Sequence, residues 1–417
     1  MAAVVNDIEQ GAGVTIEELD TPRGLKAPGT ARMIAGSLVA AVAAYLFQVL
    51  GVRSVGTEAF APIAILWTVF FILATIVLVP LEQFLTREVG RGRRVLRYDR
   101  RAMLLVILPT ATLIGLFVFL MRDRLFAGES IFAVQAFLLT IGFGLMQVGK
   151  GILAGHRRFA RYGAVLGLEG VIRLLAAVIF LALSTSAVSL GWAMVAAPLG
   201  ILLVRPWSHD RETVAGVVAT PARGFLSSYV AGAAASQLLL AGAPLAVAAL
   251  GGNEHLRSVM FVTFTLYRAP VTLIYNLQGR VLSLLVRLEN GDAIRRLATR
   301  VATFGAGMIG VAGLVGWLVG PAVVELLYGQ DARPIALVAA CAAAGVIAAS
   351  ITQILSQALV AGGSTGELAG AWVGGLVVGL GTMALWGGTP DVRVAAGFLA
   401  GEVVALTLAT WRILRPR

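Results

Sequence analysis

Twelve apolar segments, separated by short polar stretches, run along the chain. A helix needs about 20 mostly apolar residues to cross the hydrocarbon core of a bilayer, and each segment reaches or approaches that length. Their approximate limits are 33–52, 59–82, 102–121, 130–154, 162–184, 187–204, 224–250, 258–286, 302–320, 335–361, 368–386 and 392–411. The pattern predicts an all-α polytopic membrane protein of about twelve transmembrane helices.

The composition supports this prediction and narrows the chemistry. Hydrophobic residues make up 58% of the chain and charged residues 13%, against about 25% charged residues in soluble domains. The single cysteine, Cys341, excludes a disulfide within the chain and makes a cysteine-based metal site untenable. The three histidines, His156, His209 and His255, fall in predicted loops and form no ligand cluster. We therefore expect neither a metal nor another cofactor.

Basic residues are distributed unevenly between the two sides of the predicted bundle. With the N-terminus in the cytoplasm, cytoplasmic segments hold 23 Lys and Arg residues and the opposite loops hold six. Because Lys and Arg accumulate in cytoplasmic loops, both termini are predicted inside. The net charge of +11 is then mainly a topology signal, and we expect no nucleic acid partner. Abundant Arg, Ala, Gly and Val are typical of a G+C-rich bacterial genome, which predicts a location in the bacterial plasma (inner) membrane.

The two halves of the chain resemble each other at offsets near two hundred residues. GTEAF (56–60) corresponds to GNEHL (252–256), and RLFAG (124–128) corresponds to ELLYG (325–329). A third pair is LAGHRRFARYG (153–163) and VAGGSTGELAG (360–370). Their shared order indicates a duplication, which is why two six-helix lobes are predicted.

This duplication sets the predicted domain organisation. Residues 1–31 are polar and lack the basic start and short apolar core of a signal peptide, so they are predicted to form a disordered cytoplasmic tail. The remaining divisions are an N-lobe at 32–204, a cytoplasmic linker at 205–222, a C-lobe at 223–412 and a tail at 413–417. Parallel repeats of this kind are common in transporters, where the substrate path runs between the halves. No loop on the outer side is long enough for a catalytic domain, so an enzyme is not expected.

One stretch, GLMQVGKG (144–151), invites a misreading as a nucleotide-binding P-loop. Gly144, Gly149 and Lys150 fit that spacing, but Gly151 replaces the Ser or Thr that would hold Mg²⁺. The stretch before it is a long apolar segment rather than a strand. The glycines are therefore predicted to allow close helix packing.

Four basic residues lie inside the predicted helices: Lys150, Arg173, Arg268 and Arg280. A basic side chain at a helix centre costs about 2.5–3.5 kcal/mol on insertion scales, so it implies a partner or a wet cavity. Lys150 lies near the cytoplasmic end of helix 4, where it either snorkels to the surface or lines a cavity. Arg280 lies about as deep on helix 8, with the same two readings.

Arg173 and Arg268 lie near the predicted bilayer midplane. Arg173 follows Glu169 by one helical turn, an order that favours an ion pair, and both a structural pair and a substrate site remain open. Arg268 has no acid within one turn and precedes Pro270, which would free backbone carbonyls. For Arg268 we favour a functional role.

Acids and amides add further candidates. Glu82 and Glu325 lie near helix ends and are expected to snorkel, whereas Glu402 lies near the middle of helix 12 and either pairs with a neighbouring helix or carries protons. On helix 10, Ser350, Gln353 and Gln357 share one face. They either form hydrogen bonds to a neighbouring helix or line a cavity. Helix 1 offers Tyr45 and Gln48.

Several stretches resemble the multidrug/oligosaccharidyl-lipid/polysaccharide (MOP) flippase superfamily, in its polysaccharide-exporter branch. AAYLFQVLGVRSVGTEAF (43–60) resembles helix 1 and the turn that follows it, and PLEQFLTREVGRGRR (80–94) resembles the end of helix 2 with its basic loop. VVELLYGQDARP (323–334) resembles the start of the second repeat. The resemblance covers most of the chain, from about residue 33 to residue 411.

The resemblance implies a carrier that flips a lipid-linked, anionic oligosaccharide from the cytoplasmic to the outer leaflet by alternating access. Helices 1, 2, 7 and 8 would line a central cavity, which gives Arg268 and Arg280 added weight as phosphate contacts. Helices 1 and 7 lack a buried Arg, a departure from a strongly cationic cavity. Membrane lipids are further expected partners, with a polysaccharide polymerase or glycosyltransferase as a candidate. The candidate substrate-binding residues are Arg268, Arg280, Lys150, Arg173, Glu169, Gln353 and Gln48.

Two alternatives stay open. One is a multidrug-extruding cation antiporter, which would need a membrane-embedded acid, yet helices 1 and 7 contain no Asp or Glu. The other is a membrane assembly subunit that transports nothing, in which buried charges would be ion pairs alone.

Overall fold

The computed structural model describes residues 29–90, 94–98, 100–210, 234–268, 291–361 and 365–415, together with positions 232 and 271. Within these ranges it contains helices and no strand. The N-lobe consists of α1 (Thr30–Val55), α2 (Thr57–Leu73, Ala74–Leu78 and Val79–Gly90), α3 (Arg100–Leu120), α4 (Ile131–Gly155), α5 (Phe159–Leu183) and α6 (Ala187–Ala196, Ala197–Gly200 and Ile201–Val204). The C-lobe consists of α7 (residues 234–241 and Ala243–Ala249), α8 (Glu254–Tyr267), α9 (Gly291–Tyr328), α10 (Ala336–Ala361), α11 (Thr365–Leu385) and α12 (Pro390–Leu414).

This architecture confirms the predicted all-α polytopic fold with two six-helix lobes. Among the described residues, ten helices are long and apolar enough to cross a membrane. The other two, α7 and α8, are shorter over their described parts, since residues 211–231 and 272–290 lie outside them. The predicted domain boundaries remain predictions.

Three helices extend beyond the apolar segments that predicted them. α2 continues to Gly90, α8 begins at Glu254 and α9 covers Gly291–Tyr328. The extension of α2 is stabilised by Leu85 and Val89, which are buried in an apolar cluster. The length of an apolar segment reflects the thickness of the hydrocarbon core, whereas the helix itself can continue through polar turns outside the core.

Within α2, a π-helical turn at Ala74–Leu78 separates two α-helical parts. It directly precedes Pro80, which has no backbone N–H and whose ring crowds the carbonyl one turn earlier. A π turn loosens the hydrogen-bond ladder where the proline would otherwise break it. The chain thereby crosses the membrane without interrupting α2.

Small residues bring helices close together in both lobes. In the N-lobe, α1 and α5 meet at Gly36 and Gly163, where a Cβ on either residue would collide with backbone atoms of the other helix. In the C-lobe, α11 and α12 meet in the same way at Gly375 and Gly401. Close backbone approach of this kind is a common means of helix association in lipid.

The two lobes meet along α2 and α8. Phe261 and Val262 of α8 lie in the same buried cluster as Phe60 and Ile65 of α2. We call the end that carries the α2–α3 and α4–α5 connections the arginine-rich end, and the other the opposite end. The lobe interface described below lies at the opposite end and in the middle of the bundle.

Candidate functional site

A small pocket lies between the lobes, about halfway along α2 and near the end of the described part of α8. It has a volume of about 10 Å³, which is room for about one water molecule. Its ten lining residues are Trp67, Thr68, Phe71, Leu240, Ala241, Pro244, Phe261, Phe264, Thr265 and Arg268. Arg268 is the one charged residue in this set, and no acid is among them.

Arg268 reaches from the C-lobe to an aromatic ring of the N-lobe. The carbon at the centre of its guanidinium group lies 4.7 Å from the centre of the Phe71 ring. A guanidinium over an aromatic face is attracted by the ring quadrupole, more strongly where water is excluded. Phe71 thus holds the cation in the pocket through this attraction. The sequence contained no signal for this pairing.

The end of α8 supplies backbone acceptors beside Arg268. The Tyr45 hydroxyl of α1 donates to the carbonyl oxygen of Thr265 at 2.9 Å and lies 3.4 Å from that of Leu266. Leu266 is four residues before Pro270, so its carbonyl has no proline N–H to accept. Tyr45 therefore ties α1 to α8 where the helix ends at Tyr267.

Arg173 forms the predicted ion pair with Glu169 one turn earlier on α5. Its guanidinium carbon also lies 4.8 Å from the centre of the Trp67 ring. Trp67 and Phe71 are four residues apart on α2, so they lie on one face of that helix. Each carries one arginine, Arg173 from the N-lobe and Arg268 from the C-lobe. Whether Arg173 and Glu169 contact a substrate remains a prediction.

Lys150 is buried in the N-lobe, so the first of its two readings, snorkelling to the surface, is wrong. Its Nζ lies 2.8 Å from Oε2 of Glu82 and donates to Oε1 of Gln147 at 2.7 Å. The Tyr162 hydroxyl donates to the other carboxylate oxygen of Glu82 at 2.7 Å. Glu82 does not snorkel either, because a lysine and a tyrosine satisfy its carboxylate inside the protein. A role for Lys150 in substrate binding stays a prediction.

The glycines around Lys150 serve helix packing, as predicted. Gly144 lies against Ile107 of α3, and Gly151 lies against Leu85 of α2. A Cβ at Gly151 would be 2.8 Å from that of Leu85. These contacts bring α2 and α4 close enough for the Lys150–Glu82 pair to form.

The remaining predicted site residues lie elsewhere. Gln48 is buried in α1, and its side-chain oxygen has no hydrogen-bond partner among the described residues. Gln353 is buried in α10. On that helix the hydroxyls of Ser350, Thr352 and Ser356 donate to carbonyls of their own helix one turn earlier, not across helices. Arg280 lies outside the described residues.

At the opposite end, polar contacts join the lobes. Arg53 at the end of α1 donates to the carbonyl oxygens of Leu326 and Leu327 at 2.7 and 2.8 Å, in the last turn of α9. From the C-lobe, Arg257 donates to the carbonyl oxygen of Arg124 at 3.1 Å, after α3. We call these contacts the arginine latches. Both acceptor positions fall in the stretches RLFAG and ELLYG that predicted the repeat, but the donors differ in place, since Arg53 ends α1 and Arg257 lies in α8.

A third contact links the lobes beside the latches. The Thr57 hydroxyl lies 3.2 Å from Nδ1 of His255. His255 was expected in a loop, but it occupies the first turn of α8, which Asn253 caps by accepting the backbone N–H of Leu256. The three contacts close the interface at the opposite end.

Comparison with known sequences finds relatives whose function is not described. No family model matches the chain. An uncharacterized protein of Mycobacterium tuberculosis (strain ATCC 25618 / H37Rv) is 27% identical over 425 residues, covering 97% of this chain and 96% of its own length. Another uncharacterized protein of the same strain is 27% identical over 412 residues, covering 93% and 92%.

Comparison with solved structures is more informative about the fold. An inward-facing multidrug resistance MATE family transporter of the MOP superfamily matches with a TM-score of 0.65 at 14% identity, over 89% of this chain and 93% of that one. A MOP superfamily transporter from Pyrococcus furiosus, whose reverse pocket polarity is taken to suggest a different function, matches with a TM-score of 0.63 at 15% identity, over 92% and 94%. This chain has the MOP transporter fold.

Within the MOP fold, one embedded acid stands apart from the pocket. Glu402 of α12 is fully buried, and neither carboxylate oxygen has a hydrogen-bond partner among the described residues. Phe398 and Leu406, one turn before and after it, pack against α10. Glu402 therefore faces α10 inside the C-lobe. The sequence showed that this acid is embedded. It did not show that the carboxylate oxygens would have no hydrogen-bond partner among the described residues.

Proposed function

We propose that this protein is a membrane transporter that moves an anionic, lipid-linked saccharide between leaflets by alternating access. The observation that carries the proposal is the pocket between the lobes, where Arg268 is the one charged group among the described lining residues. A cation in a water-poor site attracts a phosphate strongly and repels a cationic drug. The reversed pocket polarity described for the Pyrococcus furiosus transporter is a parallel within the same fold.

Arg268 is the proposed phosphate contact. The planar guanidinium presents several N–H donors, and those at its edge are suited to the oxygens of a phosphate. The contact with Phe71 restrains the guanidinium group in advance, so less side-chain freedom is lost on binding. Arg280, Arg173, Glu169, Lys150, Gln48 and Gln353 stay secondary candidates.

The latches at the opposite end support an inward-facing state for this structure. The match to the inward-facing MATE transporter has a TM-score of 0.65, against 0.59 for an outward-facing one. In alternating access, the site opens to one side when contacts on the other side are closed. The substrate would thus enter from the arginine-rich end, which we propose to be cytoplasmic in a bacterial inner membrane.

The membrane potential can drive this direction of transport. With a negative interior, moving one negative charge outward gains about 2.3 kcal/mol per 100 mV. A pyrophosphate-linked substrate with two charges gains about twice as much. A separate ATPase domain is then unnecessary for export.

A multidrug cation antiporter is the second candidate. The fold likeness to multidrug resistance MATE transporters favours it, and Glu402 is an embedded acid of the kind that such chemistry requires. However, Glu402 is not among the pocket-lining residues, so it would bind an ion rather than the drug.

The deciding experiment is deletion of the gene in its host, followed by complementation. We expect the deletion strain to accumulate polyprenyl-linked saccharide and to lose surface polymer. Arg268→Ala should complement about ten- to hundredfold less well than wild type, because a hydrogen bond to a charged group contributes about 1.5–3 kcal/mol. Arg268→Lys should recover part of the export, since a point charge still meets phosphate.

The exposed Arg415 provides a matched control, because Arg415→Ala removes the same charge far from the pocket. Unchanged surface polymer with raised sensitivity to cationic dyes in the deletion strain would favour the antiporter instead. Normal export by Arg268→Ala would refute the site assignment while leaving the saccharide substrate intact. Unchanged polymer, unchanged precursors and unchanged drug sensitivity would favour an assembly subunit.

A further inference from the structure

A second cationic surface lies outside the pocket, where α5 and α6 meet the arginine-rich end. It consists of Arg158 and Arg161 at the start of α5 and of Arg205 and His209 just after α6, and we call it the α5–α6 arginine cluster. Arg161 lies against the ring of His209, with Nη1 3.3 Å from Nδ1. Arg158 lies within electrostatic reach of the same ring. The cluster thus joins two connections that are far apart in sequence.

The backbone turns the end of α6 toward this cluster. Arg205 ends α6 in the left-handed region, with φ of 50°, and a short helical turn, Pro206–His209, follows. The Ser208 hydroxyl donates to the carbonyl oxygen of Arg205 at 2.8 Å and lies 3.1 Å from Nδ1 of His209. The side chain of Trp207 remains exposed beside them.

Of the N-lobe acids at this end, Asp210 and Glu82 have partners outside the cluster. The carboxylate of Asp210 accepts the backbone N–H groups of Val95 and Leu96 at 3.1 and 2.9 Å. Glu82 is held by Lys150, and Glu88 is fully buried. Within the described part of the chain, the cluster therefore carries an excess of positive charge at the surface.

Apolar side chains lead from the bilayer directly to the cluster. On α5, Leu175 is exposed on the same helical face as Arg161, about four turns further along the helix. On α6, Leu202 and Leu203 are exposed immediately before Arg205, with Leu203 at 71%. The two helices pack together through Gly200, which lies against Leu168 and Ile172.

We propose that the α5–α6 arginine cluster binds the phosphate headgroup of an anionic phospholipid whose acyl chains lie along the exposed faces of α5 and α6. The excess of arginines at this end follows from the topology, whereas the contact between Arg161 and His209 joins basic residues of two adjacent helices into one surface. Basic sites between helices at the membrane surface bind anionic headgroups, and a tryptophan at this depth is typical of the interface. The proposal does not depend on what the pocket between the lobes transports.

The bound lipid would act on the connection between the lobes. His209 and Asp210 are the last described residues before the segment that leads into the C-lobe. A headgroup bridging Arg161 and His209 would fix the start of that segment to α5. Lipid composition would then influence how the lobes move relative to each other.

The test compares full-length protein in nanodiscs of phosphatidylcholine with protein in nanodiscs that also contain phosphatidylglycerol. We expect phosphatidylglycerol to raise the thermal unfolding midpoint of the wild type, and native mass spectrometry to detect retained phosphatidylglycerol. In Arg158→Gln/Arg161→Gln, phosphatidylglycerol should raise the unfolding midpoint by at most half as much, and no phosphatidylglycerol should be retained. In phosphatidylcholine alone, this variant should have the same unfolding midpoint as the wild type. Arg161→Lys should keep part of both the rise and the retained lipid, because it keeps the charge.

Arg412→Gln/Arg415→Gln is the matched control, since it removes two arginines from the same end in the C-lobe. An equal loss in this control would overturn the proposal in favour of general surface charge. If inorganic phosphate in phosphatidylcholine nanodiscs gave the same stabilisation, the site would be one for a soluble anion. An effect of Arg158→Gln/Arg161→Gln that is the same in both lipids would also refute the proposal, because the cluster would then act without an anionic lipid.

Discussion

The buried pair of Lys150 and Glu82 provides the sharpest test of which embedded charges are structural. The perturbation is Lys150→Met, which keeps the length of the side chain and removes the charge. In the structure, Glu82 accepts from Lys150 at one carboxylate oxygen and from Tyr162 at the other. After the substitution, only the tyrosine remains as a partner for a carboxylate that is 12% exposed.

The expected loss of stability comes from the Glu82 carboxylate, which stays buried after Lys150 is replaced. Removing one partner of a buried ion pair destabilises a protein by about 3–5 kcal/mol, because the other charge stays buried without compensation. The double variant Glu82→Gln/Lys150→Met removes that charge as well, and the amide oxygen that replaces the carboxylate can still accept from Tyr162. We therefore expect the double variant to be more stable than Lys150→Met alone by about 2–3 kcal/mol.

The assay is the free energy of unfolding in detergent, measured by circular dichroism for the wild type, both single variants and the double variant. Export of the saccharide is measured for the same four proteins. If Lys150→Met unfolds like the wild type but no longer exports, Lys150 contacts the substrate and the structural reasoning is refuted. If the double variant recovers both stability and export, the pair serves the fold alone.

Two further predictions concern the latches and the embedded acid. Arg53→Ala should shift the lobes toward opening at the opposite end, since it removes two charge-assisted hydrogen bonds. The distance between the lobes can be measured with spin labels at the exposed positions Asp123 and Asp331 in a Cys341→Ser background. The variant should show more long distances than its parent, and an unchanged distance distribution would contradict the latch. The free energy of unfolding of Glu402→Gln should lie within about 1 kcal/mol of the wild-type value, because the acid has no hydrogen-bond partner to lose among the described residues. A decrease of more than about 3 kcal/mol in the same assay would show that Glu402 forms a charged interaction.

The parts of the molecule that the sequence predicted are those set by the membrane or by local spacing. The length of the apolar segments follows from the bilayer thickness, so the helix count and the all-α fold could be read directly. The pair of Arg173 and Glu169 was also predictable, because residues four apart on a helix are neighbours whatever the tertiary structure. The repeats predicted two lobes and also marked the carbonyls that the latches use.

The contacts that escaped prediction join residues distant in the chain. Lys150 and Glu82 are on different helices, and the spacing within either helix gives no indication of the other. Snorkelling is favoured only while no partner is available, so the presence of a carboxylate reversed that expectation. The aromatic partners of Arg173 and Arg268 were missed for the same reason. Hydroxyls on α10 bond within their own helix because a carbonyl one turn earlier is always in reach.

The different partners of these cations have a consequence for transport. Lys150 and Arg173 are paired with acids of their own lobe, so a relative movement of the lobes carries each pair along unchanged. Arg268 contacts the ring of Phe71 in the other lobe, and that contact must change when the lobes rock. A ligand shifts a conformational equilibrium only by as much as its affinity differs between the states. A phosphate bound to Arg268 would meet a different environment in each state, whereas one bound near Lys150 would not. We therefore propose that Arg268, whose described ring contact crosses between the lobes, is the cation through which substrate binding drives their movement.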